Sequence, residues 1–120
     1  MSIADIEAFN ADWLKAWSDK DTERLVSFYS EDTVYMDPQT AGGVKGQDAL
    51  RTYLQGLFGA TPEMVYVPEA VWAIDGGFCG RWICTVGPGG AGGRLRGFDL
   101  VLLKDGKIAH NEVYVHQLPD

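Results

Sequence analysis

An aspartate interrupts the most apolar stretch of this chain. Arg94-Leu95-Arg96-Gly97-Phe98-Asp99-Leu100-Val101-Leu102-Leu103 is β-prone, and the Asp105-Gly106 pair that follows Lys104 is a two-residue hairpin signal. Asp99 therefore lies on a strand, beside a phenylalanine and four consecutive aliphatics. An unpaired carboxylate there is costly, so the fold must pair it, neutralise it or set it at the wet edge of a cavity. A second acid, Asp37, has a similar setting in Val34-Tyr35-Met36-Asp37-Pro38. Two such carboxylates in one small chain are its strongest chemical signal.

The 120 residues leave room for one domain, spanning 1–120, and one core. Hydrophobic residues make up 46%, enough for a packed globule and too many for a disordered chain. The formal net charge of -7 argues against a nucleic-acid partner, which needs a basic surface. Cys79 and Cys84 have opposite strand parity, so both are expected as core or near-core thiols rather than as a disulfide. Met1 to Glu7 lacks the basic and apolar regions of a signal peptide, and no apolar run reaches the roughly 20 residues of a membrane span. The expectation is a cytoplasmic protein with no membrane partner.

Helical periodicity fills the first half. Ile6, Phe9, Trp13, Ala16 and Trp17 form one apolar stripe, broken at Ser18 to Lys20. Asp21 can cap a second helix carrying Leu25, Val26, Phe28 and Tyr29. Val34 to Asp37 reads as a short strand stopped by Pro38, and residues 42–46 as a loop. A third helix is predicted over Gln47 to Phe58, stopped by Gly59. Thereafter five strands are predicted: 63–67, 69–74, 77–86, 95–103 and 107–117, with Pro68 separating the first two. Helices gathered before a mostly antiparallel sheet give an α+β fold, a bent sheet packed against three N-terminal helices. The sheet's other face needs a cover. Trp82, Phe98 and Tyr114 are assigned there, and a homodimer through the sheet would supply the cover.

Strand parity sorts the candidates. If Asp99 points inward, so do Gly97, Val101 and Leu103. On the last strand Asn111, Val113 and Val115 form the more apolar set and are assigned inward; His110, Glu112, Tyr114 and His116 face out. The two histidines, six residues apart and lacking a third ligand, make a poor metal site. The loop 87–93 is glycine-rich but lacks the lysine, the Ser/Thr and the following helix of a phosphate loop, so it reads as a hairpin connection. No metal and no cofactor are expected.

Three segments carry a family resemblance: Trp17-Ser18-Asp19-Lys20-Asp21, then Tyr29 through Pro38, then Gly46-Gln47-Asp48-Ala49-Leu50. With Arg96-Gly97-Phe98-Asp99-Leu100 and Asp105-Gly106-Lys107-Ile108, the chain resembles the SnoaL-like domain of the nuclear transport factor 2-like superfamily. That resemblance implies a cone of helices around a strongly bent sheet with a deep pocket. Its members include isomerases, cyclases, epoxide hydrolases and non-enzymatic binders. Ketosteroid isomerases are similar in placing a base where Asp37 falls and a neutral, hydrogen-bond-donating aspartic acid where Asp99 falls. Their oxyanion tyrosine falls at Trp13, which removes the phenol donor. Tyr53 lies one residue from another family tyrosine, and Tyr35 shares strand parity with Asp37. The relay of limonene epoxide hydrolases needs an arginine at Gly97 and an acid at Val113, and both are absent. The acid that polyketide cyclases carry near the end of the last strand has His116 as its nearest counterpart.

The resulting expectation is a cofactor-free acid–base isomerase or aldol-type cyclase for a small to medium hydrophobic carbonyl compound. Asp37 is the base, Asp99 the acid or oxyanion donor, and Asn111 a second donor or the group that orients Asp99. Trp13, Tyr35, Tyr53 and Val113 are expected to contact the ligand. Bland roles stand beside these: Asp37 as a turn cap before proline, and Asp99 as a structural carboxylate bonded to the Trp13 indole or to Asn111. The alternative function is a non-catalytic binder of a hydrophobic metabolite, or a relative of the epoxide hydrolases.

Overall fold

The computed structural model describes residues 1–119. Helix α1 (Ile3–Asp19) begins at a capping box in which Ser2 and Asp5 satisfy each other's backbone N–H groups. It ends at Lys20, held in the left-handed region at φ 54°. Asp21 caps the short α2 (Thr22–Val26), and α3 spans Gln47–Ala60. The strands are β1 (Tyr29–Met36), β2 (Val44–Lys45), β3 (Met64–Ile74), β4 (Gly77–Val86), β5 (Arg94–Lys104) and β6 (Lys107–Gln117). They form one open sheet in the order β2-β1-β6-β5-β4-β3, antiparallel except for the parallel pair β1 and β6. The architecture is the α+β arrangement of three helices on a bent sheet.

Several boundaries differ from the sequence reading, each for a local reason. Pro68 does not divide β3. It sits on the sheet's edge strand, where proline is tolerated, and the register shifts by one residue between Pro68 and Ala70. Strand β1 begins at Tyr29 rather than Val34, because the backbone from there runs beside β6. Two residues of the expected loop, Val44 and Lys45, pair with β1. Gly59 lies inside α3 rather than ending it.

Register decides which side chains look inward. Trp82 pairs with Gly97, Gly80 with Asp99, Asp99 in turn with Val113, and Gly97 with Val115. All these positions share the face covered by the helices. Trp82 therefore belongs inside, 5% exposed, and not on the outer face as the composition of its strand suggested. The outer face instead carries Trp72, Phe98 and Tyr114, all exposed. Trp72 and Phe98 are in ring contact at 5.8 Å.

Gly97 makes the Trp82 position achievable. A Cβ added there would overlap the indole ring itself, which is rigid and cannot bend aside. Gly97→Ala is therefore expected to lose about 1–3 kcal/mol of stability, the usual cost of overpacking a filled site. Urea denaturation, followed by tryptophan fluorescence, checks this. An unchanged midpoint would contradict the packing described.

Candidate functional site

A cavity of about 220 Å³ opens between the helices and the inner face of the sheet. Leu14, Trp17, Leu57, Phe58, Leu95, Val113 and Val115 give it mainly apolar walls. Both acids singled out from the sequence line it. Asp99 lies at the buried end, 2% exposed, while Asp37 is only partly buried.

Asp99 accepts the Trp82 indole proton on Oδ2 at 2.6 Å. Its Oδ1 faces Asn111 Nδ2 at a longer 3.4 Å. Behind Asn111 the donors line up in one direction. Trp13 Nε1 donates to the Tyr29 hydroxyl at 3.3 Å, and that hydroxyl donates to Asn111 Oδ1 at 2.9 Å. Burial is the main influence on Asp99. It pushes the carboxyl up to about 7 from the ordinary 3.8, against the opposing pull of the Trp82 and Asn111 hydrogen bonds. Burial likewise keeps the Tyr29 phenol well above its usual value, so it stays protonated.

Asp37 is built differently. It follows β1 and accepts from four donors. The Tyr35 and Tyr53 hydroxyls reach Oδ2 at 3.0 and 2.5 Å, while the Gln39 N–H and the Thr40 hydroxyl reach Oδ1 at 2.9 and 3.0 Å. A carboxylate offers about four lone-pair sites, so the protein fills them all. Tyr35 comes from β1 and Tyr53 from α3, which ties helix to strand at the cavity wall. Burial, with the Asp37 charge behind it, holds the Tyr35 phenol far above its ordinary value. Burial and the bond to Asp37 raise Tyr53 as well. Both phenols therefore act as donors to Asp37.

The sequence-derived candidates separate into two groups. Asp37, Asp99, Tyr35, Tyr53 and Val113 all line the cavity. Trp13 and Asn111 do not, a correction to their expected place. Asn111 pairs with Val101, one step toward the hairpin from the cavity, and its amide is taken by Asp99, Leu100 O and Tyr29. Trp13 is 1% exposed against Phe78; the adjoining part of its helix stripe, Leu14 and Trp17, forms the wall instead. The indole that reaches Asp99 is accordingly Trp82, not Trp13. His116 is exposed on the outer face. Lining residues that the sequence reading missed include Lys20, Tyr66 and Trp82. The alternation of Trp82 with Phe78, Gly80 and Cys84 was visible in the sequence, but not which face it served.

A family model for the SnoaL-like domain matches residues 10–111. The chain belongs to the SnoaL-like family. No protein of curated function matches this SnoaL-like domain. Solved structures share its NTF2-like α+β cone at low sequence identity. A protein with a ketosteroid isomerase-like fold from Catenulispora acidiphila, in complex with trimethylamine, superposes with a TM-score of 0.77 at 12% identity, covering 92% of this chain and 85% of that one. A candidate polyketide cyclase from Sinorhizobium meliloti gives 0.76 at 19% identity, covering 95% and 100%. An NTF2-like protein of unknown function from Pseudomonas putida gives 0.71 at 23% identity, covering 94% and 87%. No helix among the described residues of the SnoaL-like domain is long and apolar enough to cross a membrane. Nor do three or more His, Cys, Asp or Glu side chains converge among them.

The Asp99 carboxyl has a stability consequence with a definite sign. Its folded value of about 7 lies above the ordinary 3.8. The neutral buried form thus contributes stability that is complete below the ordinary value and is lost as pH rises to about 7. The full swing is on the order of 4 kcal/mol. Asp99→Asn cannot ionise. Relative to the parent it should gain stability steadily from pH 4 to 7 and hold level above 7, as read by urea denaturation across that range. A constant difference between the two proteins would show that Asp99 titrates normally.

Proposed function

We propose that this SnoaL-like domain is a cofactor-free acid–base isomerase or aldol-type cyclase acting on a small to medium hydrophobic carbonyl compound. One observation carries the reading: two carboxyls in unlike environments line one largely apolar cavity. Asp37 accepts from four groups and donates to none, so none of its hydrogen bonds uses a proton of its own. Asp99 is buried, raised toward neutrality, and its two protein partners are both donors. A proton on Asp99 is therefore free to serve the cavity. Asp37 takes the proton α to the carbonyl as one of its four donors gives way. Neutral Asp99 donates to the oxygen on which negative charge develops, where a preorganised donor stabilises the transition state most. Returning the proton from Asp37 to another carbon of the enolate gives isomerisation; attack by the enolate carbon on a second carbonyl forms the C–C bond, and the proton held on Asp37 then passes to the new alkoxide, giving cyclisation. The cavity falls below the roughly 300–1,000 Å³ usual for drug-sized ligands, which favours the smaller end of the substrate range.

A second reading rests on the same hydrogen bonds. Protein donors occupy all four acceptor positions of Asp37 and both oxygens of Asp99. Such saturation suits a non-catalytic binder of a hydrophobic metabolite. Kinetics separates the two. With a neutral substrate found by screening enolisable ketones, Asp37→Asn should lower kcat by roughly 100- to 10,000-fold while leaving the affinity for that ketone largely intact. Asp99→Asn should be milder than Asp99→Ala, because the amide still donates. Equal turnover by Asp37→Asn and the parent would favour the binder.

The reading includes a homodimer. Trp72, Phe98 and Tyr114 leave an aromatic patch on the outer sheet face, and Arg81 stacks over Trp72 at 5.6 Å. Contiguous exposed apolar surface of this kind marks association sites. Sedimentation at micromolar concentration should give about twice the 13.2 kDa chain mass, and Phe98→Glu should shift it to monomer. A parent protein that sediments as a monomer would remove the dimer from the proposal.

A further inference from the structure

Six aromatic side chains line the cavity: Trp17, Tyr35, Tyr53, Phe58, Tyr66 and Trp82. They form one connected arc. Trp82 contacts Tyr66 at 4.9 Å, Tyr66 contacts Trp17 at 6.0 Å, Trp17 meets Tyr35 at 6.1 Å and Phe58 at 5.8 Å, and Tyr35 contacts Tyr53 at 5.8 Å. Each end of the arc finishes at a carboxyl, with Trp82 on Asp99 and Tyr53 on Asp37.

The directions of the hydrogen bonds matter as much as the rings. Tyr35 and Tyr53 give their protons to Asp37, and Trp82 gives its only one to Asp99. Toward a guest these groups present acceptors and π-systems. Lys20 is the cavity's cationic side chain, and its ammonium is already engaged. It donates to Phe58 O, Thr61 O and Thr61 Oγ1 at 3.2, 2.7 and 2.9 Å, at the C-terminal end of α3. It also lies 6.0 Å from the centroid of the Phe58 ring, and because its acceptors are neutral its charge keeps a cationic guest away from Phe58 and toward the acid-bearing ends of the arc. An anionic guest would face Asp37 with no uncommitted cationic donor to meet it.

We infer that the cavity is a site for a compact hydrophobic ammonium ion, held by the aromatic arc and by the two carboxyls at its ends. Aromatic enclosure is the usual way proteins hold quaternary ammonium groups, because ring quadrupoles attract the cation without demanding hydrogen bonds from it. The inference uses the same cavity as the acid–base reading and adds that its ligand carries a positive charge. It is tested by binding rather than turnover, so either can fail alone.

The probes are phenyltrimethylammonium and its neutral isostere tert-butylbenzene, titrated into the parent protein at pH 8 and followed by NMR. A merely apolar cavity binds the neutral compound better, since the cation must shed hydration. The inferred site binds phenyltrimethylammonium at least tenfold tighter, with shift changes at the Trp17, Tyr66 and Trp82 ring protons. Asp37→Asn should weaken the cation at least threefold and leave tert-butylbenzene unchanged. Leu57→Trp, which fills the cavity while keeping both acids in the chain, should abolish binding of both. Equal or tighter binding of tert-butylbenzene overturns the inference. So does failure of the cation to bind, indifference to Asp37→Asn, or shift changes confined to residues outside the cavity.

Discussion

The hydrogen bond from Trp82 to Asp99 organises the interior of this protein. It spans 2.6 Å between two side chains on neighbouring strands, and it exists because Gly97 leaves the indole room to cross β5. Any side chain at Gly97 would displace the ring. Asp99 would then keep only the longer Asn111 contact while remaining buried among aliphatics, and a buried carboxyl short of hydrogen bonds is one of the costlier defects a core can hold. Packing and chemistry therefore meet in one cross-strand pair.

The rest of the polar interior is arranged around that acid. Trp13, Tyr29 and Asn111 pass donors toward it from the far side, each already buried and each satisfied by the next. This network holds Asp99 in place from behind the cavity wall, while Tyr66 stands against Trp82 on the cavity side. At the more open end, Asp37 is fixed by two phenols, a hydroxyl and a backbone N–H. The two acids share a cavity but not an environment. Asp99 is buried among apolar strand neighbours, whereas Asp37 is only partly buried and ringed by donors.

The cavity's character follows from which elements face it. α1 contributes Leu14 and Trp17, α3 contributes Tyr53, Leu57 and Phe58, the helix caps contribute Lys20 and Thr61, the turn after β1 contributes Asp37, Pro38 and Gln39, and the inner faces of the strands contribute the rest. Lys20 joins these elements. Its left-handed turn at the end of α1 sends the ammonium to the terminal carbonyls of α3, where the helix's partial negative charge favours a cation. The wall is thus tied together by a charged group whose donors are spent on two backbone carbonyls and the Thr61 hydroxyl.

Periodicity in the sequence was enough to determine the α+β order, because amphipathic helices and alternating strands each leave a signature within a short window. It also determined the parity of Asp99 with Gly97 and Val101, and of Asn111 with Val113 and Val115, since side chains alternate strictly along a strand. The candidate acids were legible because a carboxylate in an apolar strand is conspicuous. Which groups surround them was not. Trp82 stands seventeen positions before Asp99, and nothing local to either residue says that β4 pairs with β5 so that Trp82 falls opposite Gly97. The sequence reading points to Trp13 as the indole partner and assigns Trp82 to the outer face; only the register, with the absence of a side chain at Gly97, brings Trp82 to Asp99 instead. Likewise Tyr53 reaches Asp37 only once α3 packs on β1. Periodicity is local, whereas the partners of a buried acid are set by contacts between distant segments, and those the tertiary structure alone decided.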